Sequence, residues 1–202
     1  MKRAAKLELA LLIGLALSLL WGTWADRTQQ ELSEKVLRLH VLANSDSAED
    51  QALKLKVRDS VVEKASEILA GCPDRESAEQ RLTEALPELE EAARKRIAAE
   101  GETQRVTAEL RPTRFPTREY ESFTLPAGEY LALRVVIGQG AGHNWWCVVF
   151  PPLCAETTSD LAETAMAAGL TEDEVALITE SDGYQLKLKA LELWEKLRSL
   201  FY

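Results

Sequence analysis

The chain has few of the residues from which disulfide scaffolds and zinc sites are built. Its 202 residues include three cysteines and two histidines. Three cysteines are too few for a disulfide scaffold, and their odd number leaves at least one thiol unpaired within a monomer. Two histidines without a paired cysteine cluster do not supply the ligands of a zinc site. We therefore predict neither a metal nor a cofactor.

The chain also lacks an excess of basic residues. It carries 24 Lys and Arg against 33 Asp and Glu, for a formal net charge of -9. An acidic protein repels phosphate backbones, so we predict no nucleic-acid partner. The G-x-S-x-G motif of serine hydrolases is missing as well. The apolar share of 46% is enough for the core of one domain with appendages.

The N-terminus has the pattern of an export signal. Three basic residues within the first six positions precede an apolar run from Leu9 to Ala25. The run is slightly short of the roughly 20 residues of a spanning helix, but Trp21 and Trp24 fit an uncleaved anchor at a membrane interface. We predict a signal peptide or N-terminal membrane anchor at 1–26 and a linker at 27–35. Either way, the rest of the chain is exported.

Hydrophobic periodicity predicts an α+β domain. Helical spacing follows the first strand, and a capping box at Ser47 is expected to turn the Asp50 carboxylate toward the free helix amides. This order predicts a two-layer domain with a mainly antiparallel sheet of about four strands packed by helices. A C-terminal amphipathic helix is predicted as well, from Leu186 to Tyr202. The alternating patterns that predict strands are Val36–Leu42, Gln104–Arg111, Tyr130–Ile137 and Trp145–Phe150.

A glycine-rich segment joins the last two predicted strands. Gly138 to Asn144 is predicted to be a hairpin loop, which would pair these two strands antiparallel. Trp145 and Trp146 then point to opposite faces of the sheet, because side chains alternate along a strand. One indole would join the core, and the other is a candidate interface anchor. The alternative is that the C-terminal helix covers both.

The cysteines and histidines leave several chemical interpretations open. Cys147 or Cys154 with His40 or His143 would form a nucleophilic dyad, and amides of the glycine-rich loop would donate to an oxyanion. That reading predicts a secreted cysteine-dependent hydrolase acting on cell wall or peptides. A thiol within an apolar strand, such as that of Cys147, is commonly inert packing instead. A disulfide between Cys147 and Cys154, across the Pro-Pro bend, is a third possibility.

Several long motifs, in a consistent order, resemble the stage II sporulation protein R family. The resemblance runs from about Val36 to Cys154 and fits an N-terminal export segment. The C-terminal region matches less distinctively. The segments that carry the resemblance are Leu39–Lys54, Val57–Asp59, Phe115–Thr117, Leu125–Tyr130, Leu133–Gly138 and Gly142–Cys154.

The resemblance implies a signalling role in endospore formation. Such proteins are made in the forespore and exported to the space between the two engulfing membranes. There they are thought to activate a membrane-embedded aspartic peptidase of the mother cell, which removes the pro-sequence of the sigma-E precursor. The family brings no established catalytic residues or cofactor to transfer. We therefore expect a ligand rather than an enzyme, with an α+β signalling domain at 36–154 and a helical extension at 155–202.

Polar residues at strand ends beside the tryptophan pair are the predicted contacts with this partner. They combine short polar side chains with aromatic anchors, a composition typical of interfaces. The candidate interface residues are Asn44, Ser45, Asp46, His143, Asn144, Trp145 and Trp146.

Overall fold

The structure is a computed structural model that describes residues 12–14, 30–120, 122–153 and 161–179. Most of the predicted signal peptide or anchor, Cys154 and the C-terminal amphipathic helix lie outside these residues. Within the described ranges, no helix is both long enough and apolar enough to cross a membrane.

A mixed four-stranded sheet forms the centre of the fold, in the order β2-β5-β1-β6. β1 pairs parallel with β5 and antiparallel with β6, and β5 pairs antiparallel with β2. The predicted α+β class and the four-stranded, mainly antiparallel sheet are thereby confirmed. A separate two-stranded sheet pairs β3 with β4. The strands are β1 Leu37–Leu42, β2 Val106–Phe115, β3 Arg118–Glu119, β4 Thr124–Leu125, β5 Gly128–Ile137 and β6 Asn144–Phe150.

The prediction that β5 and β6 form a hairpin was wrong. β1 lies between them, so the glycine-rich segment 138–143 crosses the end of β1 instead of making a tight turn. All six residues of β1 are buried, as befits a central strand with neighbours on both sides. Sequence spacing alone favours pairing of consecutive strands, and it carries no signal for a strand inserted from far upstream.

Three helices cover one face of the sheet. α2 spans Ala48–Leu69, α3 spans Arg75–Glu84 and α4 spans Leu86–Ala99. α2 buries the apolar stripe that its helical spacing predicts, against Leu39 and Val41 of β1. Pro87 lies in the first turn of α4, where its missing N–H costs nothing, so a new helix begins there. The predicted helical layer is confirmed.

Elements from separate parts of the chain cover much of the opposite face. They are the helical residues 30–35 (α1), the β3–β4 pair, α5 at Leu161–Ala167 and α6 at Glu172–Thr179. Leu32 of α1 and Val175 of α6 join one buried cluster with strand residues. Lys35 and Glu174 form an ion pair at 2.7 Å between these two helices. Residues on both sides of the predicted boundaries at 35/36 and 154/155 thus pack together, although the boundaries themselves stay a prediction.

Candidate functional site

The structure places the two predicted groups of interface residues side by side. The segment after β1 and the loop 138–143 are joined by backbone hydrogen bonds. The Gly142 N–H donates to the Ala43 carbonyl at 3.0 Å, and the Ala141 N–H donates to the Asn44 carbonyl at 3.2 Å. Residues about a hundred positions apart in the chain therefore form one continuous surface at this end of the sheet.

Glycine is required where the loop passes over this segment. A Cβ on Gly138 would lie 2.1 Å from Asn44 Oδ1, and one on Gly142 would lie 2.1 Å from the Ser45 carbonyl oxygen. Gly138 also has a φ of +57°, which L-residues rarely adopt. The glycine spacing that sequence reasoning ascribed to a hairpin is thus explained by close approach to the end of β1.

The buried Asp50 carboxylate is the centre of a hydrogen-bond network whose other members are half-buried. Its Oδ2 accepts from Asn44 Nδ2 at 2.9 Å and from Ser45 Oγ at 2.5 Å, and its Oδ1 accepts from Gln104 Nε2 at 2.7 Å. Asp50 is 8% exposed. Hydrogen bonds from Ser45, Gln104 and Asn44 hold its pKa below the ordinary value. We name Asn44, Ser45, Asp50 and Gln104 the inner network.

The expected capping box is only half formed. Ser47 Oγ accepts from the Asp50 N–H at 3.1 Å and caps α2, as predicted. The Asp50 carboxylate, however, does not turn back to the helix amides, because Asn44, Ser45 and Gln104 supply better-placed donors. Sequence reasoning therefore missed the roles of Asp50 and Gln104. The Ser47–Asp50 spacing marked the cap but carried no information on where the carboxylate points.

The exposed part of the site is an outer rim, which we define as Asp46, His143 and Asn144. Asp46 Oδ1 accepts from the His143 N–H at 2.6 Å and also contacts His143 Nδ1. These side chains are 55% and 77% exposed. Buried Lys54 supports the rim from below, because its Nζ donates to the His143 carbonyl at 3.0 Å. The rim thus presents polar groups to solvent from a fixed backbone.

The two tryptophans lie on opposite faces of β6, as predicted for an extended segment. Trp145 packs against the core under the helices, and Trp146 packs against the core on the other face. The Arg58 guanidinium lies 4.3 Å from the Trp145 ring, and the Arg118 guanidinium lies 4.3 Å from the Trp146 ring. Both indoles are half-buried, so the expected division into one core and one exposed tryptophan is replaced by two arginine-covered rings.

A buried arginine and histidine lie on the second face of β1. Arg38 is fully buried, with its guanidinium 4.0 Å from the Phe115 ring, and it donates to the Tyr120 hydroxyl at 2.6 Å. His40 Nε2 donates to Asn144 Oδ1 at 2.7 Å, which ties the rim to this face. Burial lowers the pKa of both side chains. Sequence reasoning placed both on the less apolar face of β1 and did not foresee that this face is covered.

The structure tests one pair of the proposed thiol dyad, Cys147 with His40. Cys147 is 5% exposed, belongs to the core under the helices and is disulfide-bonded. His40 points to the other face of the sheet, next to Trp146. Cys147 and His40 therefore do not form a dyad. The predicted disulfide partner, Cys154, lies outside the described residues, so the Cys147–Cys154 pair stays a prediction, while Cys72 is free.

No group of three or more His, Cys, Asp or Glu side chains in the described ranges is arranged to hold a metal ion. The inner network and the outer rim are built mainly from neutral hydrogen-bonding groups around two carboxylates, Asp46 and Asp50. Such an arrangement fixes the shape of this surface and presents hydrogen-bonding groups to solvent.

Comparison with known proteins gives the family. The model of the family "Stage II sporulation protein R (spore_II_R)" matches residues 33–160. The chain is also similar to the curated Stage II sporulation protein R of Bacillus subtilis (strain 168), with 38% identity over 123 residues. That alignment covers 61% of this chain and 55% of the relative, so the chain matches little more than half of the relative's length. No solved structure matches. Because the family model covers more than half of the chain, the chain belongs to the stage II sporulation protein R family, and it has a role in sporulation.

Proposed function

We propose that the chain is an exported signal that activates the membrane-embedded aspartic peptidase of the mother cell, the enzyme that processes the sigma-E precursor. The observation that carries the proposal is the exposed outer rim, whose loop is held by the half-buried inner network. Family membership supports a sporulation role, and the rim supplies a surface on which such a ligand can act.

The rim is suited to recognition because its shape is set before a partner arrives. The loop 138–143 is fixed by hydrogen bonds to Ala43, Asn44 and Asp46. A prearranged surface loses little conformational entropy on binding, so more of the contact energy appears as affinity. Polar groups beside half-buried indoles are also the usual composition of an interface.

Export of the chain into the intermembrane space is part of the proposal. The basic N-terminus followed by an apolar run supports it. The disulfide at Cys147 also fits a compartment outside the reducing cytoplasm, because disulfides persist in oxidising environments. In this account the N-terminal segment meets the membrane before cleavage, or remains there as an anchor.

The proposal is tested by sigma-E precursor cleavage in sporulating cells whose own copy of the protein is deleted. The full chain is expressed in the forespore, and cleavage is followed by immunoblotting at matched protein levels. We expect His143→Ala and Asn144→Ala to reduce cleavage. Lys95→Ala is the control, because Lys95 is 75% exposed on α4. Cleavage equal to wild type in both rim variants would exclude the rim from the activity.

A further inference from the structure

In the part of the chain that the structure describes, two neighbouring arginines have no carboxylate partner. Arg38 of β1 is fully buried, and Arg118 of β3 is exposed. Arg111 and Arg134, by contrast, share the carboxylate of Glu109 on the same face of the sheet as Arg38. A charge that is removed from water without a counter-ion is costly. The buried Arg38 guanidinium therefore points to an anion that acts in its neighbourhood.

Stacked aromatic rings connect the two arginines. The Arg38 guanidinium lies 4.0 Å from the Phe115 ring, and the Phe115 ring meets the Trp146 ring edge-on, with the centroids 6.2 Å apart. The Arg118 guanidinium lies 4.3 Å from the Trp146 ring. The Tyr120 hydroxyl accepts from Arg38 at 2.6 Å and donates to the Trp146 carbonyl at 3.4 Å. Burial and, to a smaller extent, the charge of Arg118 lower the pKa of Arg38, so the two cations belong to one cluster.

The cluster has hydrogen-bond donors that are not satisfied. Arg38 Nε, Arg38 Nη1 and Trp146 Nε1 are buried, and none of them has an acceptor among the described residues. Guanidinium and indole N–H groups donate and do not accept. His40 Nδ1 is unsatisfied as well, but it is an acceptor, because Nε2 donates to Asn144. Unsatisfied donors beside two positive charges suit an anion, since charge-assisted hydrogen bonds are the strong ones.

The exposed side of the cluster adjoins the outer rim. Trp146 lies two positions after Asn144 on β6, and the His40 ring, which donates to Asn144, lies 5.9 Å from the Trp146 ring. Arg118 therefore stands beside the surface that the proposed function assigns to the partner. Anionic lipids are usually recognised by clusters of about four to eight basic residues. One exposed arginine next to the rim fits a single carboxylate of a protein better.

We infer that Arg118 binds a carboxylate of the partner, an aspartate or glutamate side chain, and that Arg38 strengthens this binding from below. Arg118 makes the direct contact, because it is exposed and lies over the Trp146 ring, which leaves the N–H groups at its edge for a carboxylate. Arg38 is a positioning residue. It acts through its charge, in a region from which water is excluded and where charges interact strongly. The inference rests on the proposed function in naming the partner as the mother-cell peptidase.

The test measures binding of acetate, the simplest carboxylate of this kind, to the purified full chain by NMR. The indole N–H signal of Trp146, assigned by its loss in Trp146→Phe, is followed at constant ionic strength. We expect a saturable shift in the roughly millimolar range, as befits a ligand of few atoms. Acetamide, the neutral isostere, should produce no saturable shift. A response that does not saturate with acetate, or that is equal for acetamide, would overturn the inference.

Substitutions locate the acetate on the protein. Arg118→Gln should weaken acetate binding about tenfold, because the carboxylate loses charge-assisted hydrogen bonds. Arg118→Lys keeps the charge without the planar edge and should give an intermediate affinity. Arg105→Gln is the matched control, since Arg105 is also exposed and has no ion pair within the described ranges. Equal binding by wild type and Arg118→Gln would place the acetate elsewhere and refute the site.

The role of Arg38 is tested in the wild-type chain. Its buried Nε–H group is protected from exchange with water and should shift with the same acetate dependence as the Trp146 signal. Arg38→Met keeps the apolar stem and should weaken acetate binding severalfold, with circular dichroism as the check of folding. If Arg38→Met does not fold, the Nε–H signal decides. A signal that does not respond to acetate would remove Arg38 from the site.

Two outcomes would assign the site to another anion. Binding of phosphatidylglycerol vesicles that is lost in Arg118→Gln would indicate a lipid headgroup in place of a protein carboxylate. Acetate binding that appears only in Glu121→Gln would show that a carboxylate of this chain occupies Arg118. Glu121 lies outside the described residues. Either result would contradict the inference.

Cleavage of the sigma-E precursor is scored separately from acetate binding. We expect Arg118→Gln to reduce cleavage at matched protein levels and Arg105→Gln to retain it. If Arg118→Gln loses acetate binding but retains cleavage, the carboxylate does not come from the peptidase, and the proposed function still stands. If the wild-type chain binds acetate but does not support cleavage at all, the proposed function fails, and the anion site remains.

Discussion

The inner network and the outer rim bind the same loop, but the carboxylate at the centre of the network is buried, whereas the rim faces solvent. Asn44 of the inner network holds Gln139, and Asp46 of the rim holds His143. Asp50 is 8% exposed, whereas the His143 side chain is 77% exposed. Loss of a buried hydrogen bond leaves an unsatisfied group, and loss of an exposed one is repaired by water. The comparison teaches that neighbouring polar residues of one motif differ in environment: the Asp50 carboxylate is placed to stabilise the fold, and the rim is placed where our proposal needs an exposed surface.

The largest loss of stability is expected when a side chain is placed between the loop 138–143 and the segment that follows β1. Gly142→Ala should lower the free energy of unfolding by roughly 3 kcal/mol, because the added Cβ meets the backbone of Ser45. Gly71→Ala is the control, since it has open space around the Cβ but a φ of +74°, and about 1 kcal/mol is expected. Urea unfolding measures both. Equal losses would show that the loop does not contact β1 this closely.

Removing the charge at the centre of the inner network should have the next largest effect. Asp50→Asn replaces an acceptor of three hydrogen bonds with a poorer one and should cost about 2 kcal/mol at neutral pH. The same measurement on His143→Ala is the comparison. If Asp50→Asn is no more costly than His143→Ala, the distinction between network and rim fails.

The pH dependence of the unfolding free energy should report the protonation of the same Asp50 carboxylate. The pKa of Asp50 lies below its ordinary value of 3.8 in the folded protein. The folded state therefore binds fewer protons than the unfolded state, and the stabilisation is complete above pH 3.8 and is lost as pH falls through the folded pKa. The difference in unfolding free energy between wild type and Asp50→Asn should shrink in that range. A constant difference down to pH 2 would contradict it.

His40 should give a separate step at higher pH. Burial lowers its pKa from 6.5, so the folded protein holds it neutral. Neutral His40 therefore contributes its full stabilisation above pH 6.5. Below pH 6.5 the unfolded state binds a proton on this histidine more readily than the folded state does, so the free energy of unfolding decreases as pH falls toward the folded pKa. His40→Gln cannot titrate and should lose this step while retaining the later one from Asp50. Identical profiles for wild type and His40→Gln would show that burial does not shift this histidine.

The smallest effect on stability is expected at the rim. Asp46→Asn removes the charge of an exposed pair with His143, and such pairs contribute less than about 1 kcal/mol. The unfolding free energy should therefore change little. A loss of unfolding free energy as large as that of Asp50→Asn would show that Asp46 stabilises the fold in the same way as the inner network.

Sequence periodicity predicted the fold class, the helical layer and the strand that carries the tryptophans, because these depend on local spacing. It could not predict that β1 lies between β5 and β6, since strand order is decided by contacts between distant residues. The hydrogen bonds of Asn44 and Ser45 to Asp50 were invisible for a similar reason. A short polar residue after a strand is explained equally well by a turn, by an interface or by a buried network.

Arg38 is another residue whose environment could not be predicted from the sequence. A charged residue on the less apolar side of a strand predicts solvent exposure, yet Arg38 is fully buried between Phe115 and Tyr130. The covering elements, which are the helical residues 30–35, the β3–β4 pair, α5 and α6, come from separate parts of the chain. Their packing against this face could not be deduced from any one of them.

The central claim is that the chain acts as a ligand of the peptidase. The most direct test is a reconstitution that measures how many chains each peptidase molecule needs for activation. The full chain is titrated into membranes that carry the mother-cell peptidase, and cleavage of the sigma-E precursor is measured. A ligand should raise the cleavage rate until about one chain is present per peptidase, and the activity should end when the chain is removed. Full, lasting activation by a small fraction of one chain per peptidase would mean that the protein acts as an enzyme, which contradicts the account.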